Sequence, residues 1–414
     1  MRRRPHLSAP APAEVAPDGG EAVDPGRHVS GAGVGPVETR FFTFGSEHDP
    51  LRLRSGETLG PVTLAYETYG TLSPARDNAI LVFHALTGSQ HAAGSNLAVP
   101  GVGERWNEEC HVGWWDLFVG PGRVVDTDRF FVVCANYLGG CYGSSGPPSV
   151  RPERAGTWGS DFPRVAFADV VDAQMRLIDH LGIERLHAAI GASTGGMTCL
   201  SLATRYPRRV DRVVPIASGL RTTPLQRVQN FEQILAIQND PEFRGGRYAP
   251  GAGPRRGLAL ARMISHKLFV SLRDMEQRSR GTVEPSSEED GWYGARHPLE
   301  SYMLHQGQKL PRRFDANAYL RILDAWQSFD LLAEGGTSSF AELFARCRHQ
   351  RYLQFTIDSD MCFAPEEQLQ LEETLESAGI ENVRVTVHST KGHDSFLLEP
   401  HLYGPQLKFF LEEE

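Results

Sequence analysis

Short apolar runs recur along the chain from about residue 37, and helical patterns separate several of them. The runs are Ile80–Phe83, Phe130–Cys134, Leu186–Ile190, Val213–Ile216, Tyr352–Phe355 and Val383–Val387. Helical periodicity appears between them, for example in Val170–Leu181 and Met197–Arg205. Strands that alternate with helices are typical of βαβ units, so this pattern predicts an α/β fold with a mostly parallel sheet.

The alternation stops between about residues 222 and 335, where helical patterns dominate. The helices predicted there are Leu225–Asn239, Leu258–Arg278, His297–Gln308 and Ala316–Leu332. We interpret 222–335 as a helical lid inserted into an α/β core that comprises residues 37–221 and 336–414. Residues 1–36 are rich in proline and contain no Phe, Trp or Tyr, which predicts a disordered tail.

The composition adds mainly exclusions. The 414 residues are 40% hydrophobic and 22% charged, as in globular proteins, and the net charge of −9 predicts no binding of nucleic acid or of an anionic membrane. No apolar run is long enough to span a bilayer. The six cysteines form no Cys-x-x-Cys pair, and Cys110 with His91 and His111 lacks the carboxylate spacing of a metal site, so no metal is predicted. We expect a cytoplasmic protein.

The strongest local motif is Gly191-Ala192-Ser193-Thr194-Gly195-Gly196, a G-x-S-x-G pattern. It follows an apolar run and precedes a helical pattern, which is the strand–turn–helix context that a nucleophilic serine requires. The alternative is a glycine-rich turn with a solvated serine. The context favours Ser193 as a nucleophile.

A nucleophilic serine needs a general base that an acid orients, and in this fold they follow in the order Ser, Asp, His. His393 lies in a loop beyond the last apolar run and suits the base. Asp358 and Asp360 both follow the run that ends near Ile357, and their spacing does not decide between them.

The developing oxyanion needs two backbone N–H donors. One is expected from Thr194, directly after the serine, and the other from the loop after Ile80–Phe83. In that loop, His84-Ala85-Leu86-Thr87-Gly88, Leu86 is our choice.

Together with the serine motif, six further segments resemble the homoserine O-acyltransferase family of α/β-hydrolase-fold enzymes, over about residues 40–412. They are His84-Ala85-Leu86-Thr87-Gly88, Gly113-Trp114-Trp115-Asp116, Asn136-Tyr137-Leu138-Gly139-Gly140-Cys141, Gly257-Leu258-Ala259-Leu260-Ala261-Arg262-Met263, Phe314-Asp315-Ala316-Asn317 and Gly392-His393-Asp394-Ser395-Phe396-Leu397.

The resemblance implies an α/β-hydrolase fold and a catalytic triad of Ser193, Asp360 and His393. It implies that Arg262 holds the carboxylate and Asp394 the amino group of an amino-acid substrate. The implied reaction is ping-pong transfer of an acetyl group from acetyl-CoA, a co-substrate, to L-homoserine in methionine biosynthesis. No tightly bound cofactor is expected, and the resemblance implies a homodimer formed through the lid.

The chain departs from the family pattern near the acceptor. Thr194, Ser265 and Phe269 stand where the family usually has Met, Gly and Tyr. Residues 262 and 269 share one helical face, so Phe269 is expected on the cleft wall beside Arg262. The alternative hypotheses therefore include a succinyl donor and a serine acceptor, and a less favoured one is an esterase-type hydrolase. Leu97–Cys110 resembles an insertion near the oxyanion loop.

Overall fold

The computed structural model describes residues 33–151, 156–278 and 297–413. Its strands, numbered in chain order, are β1 (Arg40–Phe44), β2 (Leu51–Arg52), β3 (Thr58–Leu59), β4 (Val62–Tyr69), β5 (Ala79–Phe83), β6 (Val119–Gly120), β7 (Val125–Asp126), β8 (Phe131–Ala135), β9 (Leu186–Ala192), β10 (Val210–Ile216), β11 (Arg351–Ile357) and β12 (Glu381–Val387).

Eight of these strands form the central sheet in the order β1-β4-β8-β5-β9-β10-β11-β12. β4 is antiparallel to both of its neighbours, and the strands from β8 to β12 run parallel. β5 is buried at every position, because helices cover both faces of a parallel sheet. All six predicted apolar runs lie within or overlap strands of this sheet, which confirms the predicted α/β class with a mostly parallel sheet.

The helices are α1 (Phe167–His180), α2 (Thr194–Arg205), α3 (Pro224–Gln238), α4 (Arg255–Phe269), α5 (Leu272–Arg278), α6 (Pro298–Arg313), α7 (Ala316–Gln327), α8 (Leu331–Gly335), α9 (Phe340–Phe344), α10 (Pro365–Ser377), α11 (Ser395–Leu398) and α12 (Pro400–Glu412). α2 packs on β9, β10 and β5, and α12 packs on β11. Among the described residues, no helix has both the length and the apolar character needed to cross a membrane.

The helices α3 to α9 lie between β10 and β11 in the chain, although these two strands are neighbours in the sheet, and we refer to this helical segment as the lid. One predicted lid helix, Leu258–Arg278, is two helices in the structure, because Val270 is extended and the Ser271 hydroxyl accepts a hydrogen bond from the Asp274 N–H. Ala316–Leu332 is likewise divided, and the Asp330 side chain caps α8.

The division of the chain at residues 36, 221 and 335 stays a prediction. Of the predicted tail, residues 1–32 lie outside the described residues, and so do residues 279–296 of the predicted lid. Within the rest of the tail, Pro36 forms an isolated bridge with Ser95.

Candidate active site

The serine motif forms a sharp turn between β9 and α2. Ser193 has φ 58° and ψ −126°, a backbone conformation that residues other than glycine rarely adopt. Its side chain makes no capping hydrogen bond to α2, so the hydroxyl is left for chemistry. Gly195 fits here because a Cβ would lie 2.4 Å from the Phe83 carbonyl oxygen, so the turn rests directly on the end of β5.

His393 and Asp360 form a buried pair. His393 Nδ1 lies 2.7 Å from Asp360 Oδ2, and the two side chains are 3% and 0% exposed. The other oxygen, Asp360 Oδ1, accepts hydrogen bonds from the backbone N–H groups of Cys362 and Phe363. Because the carboxylate accepts at Nδ1, that nitrogen carries the proton. His393 Nε2 is buried and has no hydrogen-bond partner among the described residues.

The structure brings Asp360 to the histidine and leaves Asp358 away from it. Asp358 Oδ2 lies 2.9 Å from His388 Nδ1 on the surface, and both side chains are more than 40% exposed. The difference arises from the turn after β11, where the backbone N–H groups hold the second aspartate inward.

Two backbone N–H groups of the predicted oxyanion site have no acceptor among the described residues. Neither Leu86 nor Thr194 donates its backbone N–H within the described part of the chain. The loop that carries Leu86 closes through a hydrogen bond from the Gly88 N–H to the Ala85 carbonyl, at 2.9 Å. These are the two donors predicted for the oxyanion, and uncommitted N–H groups are what an oxyanion hole requires.

A cavity of about 250 Å³ lies against the serine and the histidine. Ser193, His393 and Leu86 line it, and so do the two residues expected to bind the amino-acid substrate, Arg262 and Asp394. Cys110 from the Leu97–Cys110 segment lines it as well, so that segment forms part of the wall. The space suits a small substrate against the serine.

Arg262 reaches the cavity from the lid helix α4, and Asp394 reaches it from the turn that carries His393. Burial lowers the pKa of the Arg262 guanidinium, and the Asp394 charge acts against this shift. Burial raises the pKa of Asp394, and the charges of Arg262 and His393 oppose that shift. A half-buried cation and a half-buried anion that line one cavity with the serine can pair with the two opposite charges of a zwitterionic amino acid.

Phe269 lines the same cavity as Arg262, as the helical spacing predicts. Its ring centroid lies 5.3 Å from the Arg262 guanidinium carbon and 5.7 Å from the His393 ring. Phe269 therefore places an apolar ring next to both the guanidinium and the imidazole.

Sequence reasoning missed Arg313, which projects into the cavity from the last turn of α6. Arg313 Nη1 donates to the Thr87 carbonyl and to the Tyr142 hydroxyl, each at 3.0 Å. Its Nε lies 3.7 Å from a carboxylate oxygen of Glu109. The available signal was the pair Arg312-Arg313 directly before Phe314-Asp315, one of the segments that carried the resemblance.

The remaining histidines near the site have structural partners. His84 is buried against the Tyr137 ring, its Nδ1 lies 2.8 Å from the Ala85 carbonyl, and burial lowers its pKa to about 4. His91 Nδ1 lies 2.7 Å from the buried Glu67 carboxylate. No group of three or more His, Cys, Asp or Glu side chains in the described ranges could hold a metal ion.

Comparison with known proteins identifies the fold first. A family model for the alpha/beta hydrolase fold matches residues 78–400. A mutant form of esterase E22 covers 91% of this chain and is itself covered completely, at 25% identity and a TM-score of 0.80. The sheet order and the turn at Ser193 agree with an α/β-hydrolase-fold enzyme.

The closer similarity within that fold is to acyltransferases. A homoserine O-acetyltransferase of Gluconobacter oxydans (strain 621H) is 42% identical over 354 residues, which are 83% of this chain and 85% of that protein. The crystal structure of homoserine O-acetyltransferase from Bacillus anthracis has a TM-score of 0.81 at 26% identity, and the match covers 91% of this chain and 98% of the other. The chain belongs to the homoserine O-acetyltransferase family.

Proposed function

We propose that this protein transfers an acetyl group from acetyl-CoA to the side-chain hydroxyl of L-homoserine, in the biosynthesis of methionine. The observation that carries the proposal is the meeting of Ser193 and His393 with Arg262 and Asp394 in one cavity. The first two residues supply acyl transfer, and the last two supply recognition of an amino acid.

The first half-reaction forms an acyl-enzyme. His393 Nε2 takes the proton of the Ser193 hydroxyl while Ser193 Oγ attacks the thioester carbonyl carbon. The N–H groups of Leu86 and Thr194 stabilise the negative charge that develops on the carbonyl oxygen. When the C–S bond breaks, the CoA sulfur leaves with the proton from His393.

The second half-reaction reverses the roles. His393 takes the proton of the homoserine hydroxyl, and that oxygen attacks the acetyl carbon on Ser193. The C–O bond to Ser193 breaks, and the serine regains its proton from His393. Asp360 holds the imidazole in the tautomer that both steps need.

A donor–acceptor comparison tests the substrates. We expect a burst of free CoA from acetyl-CoA alone, turnover on addition of homoserine, and the highest kcat/KM for acetyl-CoA with homoserine. A higher kcat/KM for succinyl-CoA, or for serine as acceptor, would contradict the proposed acetyl transfer to homoserine and support a succinyltransferase or a serine acyltransferase instead.

The mechanism is tested by Ser193→Ala. The burst of CoA is expected to disappear, because no acyl-enzyme can form, while the thermal unfolding midpoint stays near that of the wild type. A variant that keeps the wild-type turnover would exclude the ping-pong mechanism through Ser193.

A hydrolase is the second candidate, since esterase E22 resembles this chain over most of its length. The same triad can pass the acyl group to water. The charged pair Arg262 and Asp394 favours an amino-acid acceptor. An ester-cleavage rate that is indifferent to added homoserine would support the hydrolase.

We further propose a cytoplasmic homodimer formed through the lid. All six cysteines are free thiols, as is usual in a reducing compartment. α3 exposes Leu225, Val228 and Phe231, each more than half accessible, while several of its glutamines are buried. An exposed apolar stripe of this kind suits a second copy. Sedimentation of the lid-intact protein as a monomer would refute the dimer.

A further inference from the structure

The loop that carries the Leu86 N–H is fixed at its first residue by the core. The Tyr137 hydroxyl donates to the His84 carbonyl at 2.6 Å, and the Tyr137 N–H donates to His84 Nε2 at 3.3 Å. The two rings also stack, with centroids 3.7 Å apart. His84 is fully buried, so the beginning of the loop is held within the core.

The far side of the same loop is held by the lid. Thr87, the residue after Leu86, has its carbonyl bound by Arg313 Nη1 at 3.0 Å and its hydroxyl oxygen 3.5 Å from Arg313 Nη2. Arg313 belongs to α6, more than two hundred positions away in the chain. The Leu86 N–H therefore lies between one anchor from the core and one from the lid.

The guanidinium is itself held in place. Tyr142, 1% exposed, accepts from Arg313 Nη1 at 3.0 Å, and its ring packs edge-on against Trp106 and Phe314, at 5.5 Å from each. Because the planar guanidinium presents its donors in a rigid fork, it can bind the Thr87 carbonyl and the Tyr142 hydroxyl together.

We infer that Arg313 is a positioning residue for acyl transfer, which clamps the oxyanion loop from the lid so that the Leu86 N–H stays aimed at the developing oxyanion. The inference rests on the proposed function, because it assumes that Ser193 is acylated and that Leu86 serves the oxyanion. It adds that the lid takes part in the acylation step as well as in acceptor binding.

The test measures acylation of Ser193 by two donors in Arg313→Met. The donors are acetyl-CoA and the neutral ester p-nitrophenyl acetate, each in a rapid-mixing burst without acceptor. Loss of a whole oxyanion donor lowers kcat by about 10²–10³-fold, so a displaced donor is expected to cost about 10–100-fold. The loss is expected to be similar for both donors and to fall on the rate of acylation.

Arg312→Met is the matched control. It removes the same charge from the neighbouring, exposed position of α6. We expect wild-type bursts with both donors. A loss in Arg313→Met that is confined to acetyl-CoA would overturn the clamp and make Arg313 a CoA contact. Equal losses of the acylation rate in Arg313→Met and Arg312→Met would also contradict the clamp.

Tyr142→Phe keeps the test decisive if Arg313→Met does not fold. It removes one acceptor of the guanidinium and preserves the ring packing, so a loss of about 2–10-fold, again shared by both donors, is expected from one neutral hydrogen bond. Wild-type acylation in this folded variant would contradict the clamp.

The two proposals fail in different ways. A burst that survives Ser193→Ala contradicts the proposed mechanism. A burst that requires Ser193 but is unchanged in Arg313→Met contradicts only the clamp.

Discussion

The core side and the lid side of the cavity differ in whether their polar groups are already hydrogen-bonded within the protein, and we call such groups committed. On the core side, His393 is bound to Asp360, and Asp360 accepts two backbone N–H groups as well. On the lid side, the Arg262 guanidinium has no hydrogen-bond acceptor among the described residues and lies against the ring of Phe269. The His393–Asp360 pair on the core side is thus fixed by hydrogen bonds within the protein, whereas Arg262 on the lid side presents a guanidinium whose donors are unused among the described residues.

Arg313 and Asp394 qualify this contrast. Arg313 comes from the lid, yet its guanidinium is already bound to Thr87 and Tyr142. Asp394 comes from the core, directly after His393, yet no hydrogen bond holds its side chain in the described residues. Hydrogen bonding within the protein, more than the side of origin, separates the groups proposed to act in acyl transfer from those proposed to bind the substrate.

The largest effect is expected from breaking the committed pair. Asp360→Asn should lower kcat by about 10⁴-fold, because an amide in that place favours the wrong imidazole tautomer. Steady-state turnover with acetyl-CoA and homoserine measures it. Asp358→Asn is the control, since Asp358 contacts His388 on the surface, and near wild-type turnover is expected. Equal losses of kcat in Asp360→Asn and Asp358→Asn would mean that the hydrogen bond between Asp360 and His393 makes no specific contribution to catalysis.

A smaller effect is expected from removing the uncommitted charge. Arg262→Met should lower kcat/KM for homoserine by up to about 100-fold, because a hydrogen-bonded charge contributes about 1.5–3 kcal/mol. Acylation by p-nitrophenyl acetate should be unchanged. Arg256→Met removes an exposed arginine from the same helix, α4, and this variant should match the wild type in both assays. A lower rate of acylation by p-nitrophenyl acetate in Arg262→Met would show that Arg262 acts in acyl transfer itself and not only in binding of the acceptor.

The smallest expected effect concerns the place where the lid rests on the core. Glu334 of α8 is buried, accepts from the Ser201 hydroxyl of α2 and from the Ala168 N–H, and burial raises its pKa to about 7. In the unfolded chain its pKa lies near 4.5, so folding favours the protonated form. Stability contributed by this group is present below pH 4.5 and is lost as the pH rises through 7.

Glu334→Gln isolates that loss, since the amide mimics the protonated acid. Urea unfolding should give similar free energies for variant and wild type at pH 5. At pH 8 the variant should gain on the order of 2 kcal/mol over the wild type. The exposed Glu342→Gln serves as control, and a difference for Glu334→Gln that does not change with pH would contradict the raised pKa.

Much of the fold was predictable because parallel strands are buried on both faces and appear as continuous apolar runs. β4 was not recognised, since its sequence Val62–Tyr69 contains the buried Glu67, whose burial depends on donors from distant segments, among them His91 and Asn96. The break between α4 and α5 carried a readable signal, because Ser271 and Asp274 have the spacing of a helix N-terminus.

The candidate site could be predicted to the extent that its residues occur in the order Ser, Asp, His along the chain. Ser193 and His393 occupy the expected places around the lid, but Asp358 and Asp360 are equivalent by spacing. The family resemblance favoured Asp360, and the physical reason, the turn after β11 that holds Asp360 inward against His393, is visible only in the structure. Arg313 could not be found from periodicity, because a helical pattern does not tell which loop another segment will bring against it.

The insertion of the lid between β10 and β11 bears on how the protein is made. β10 pairs with the earlier strand β9 on one side and with β11 on the other, where Val213 lies beside Tyr352 and Ile216 beside Phe355, so the ribosome must complete the whole lid before β10 gains its second neighbour. At ordinary rates of synthesis this wait is on the order of ten seconds. An unpaired strand edge attracts other chains during that time. The lid that shapes the cavity thus also sets the interval in which the nascent sheet is most exposed to misassociation.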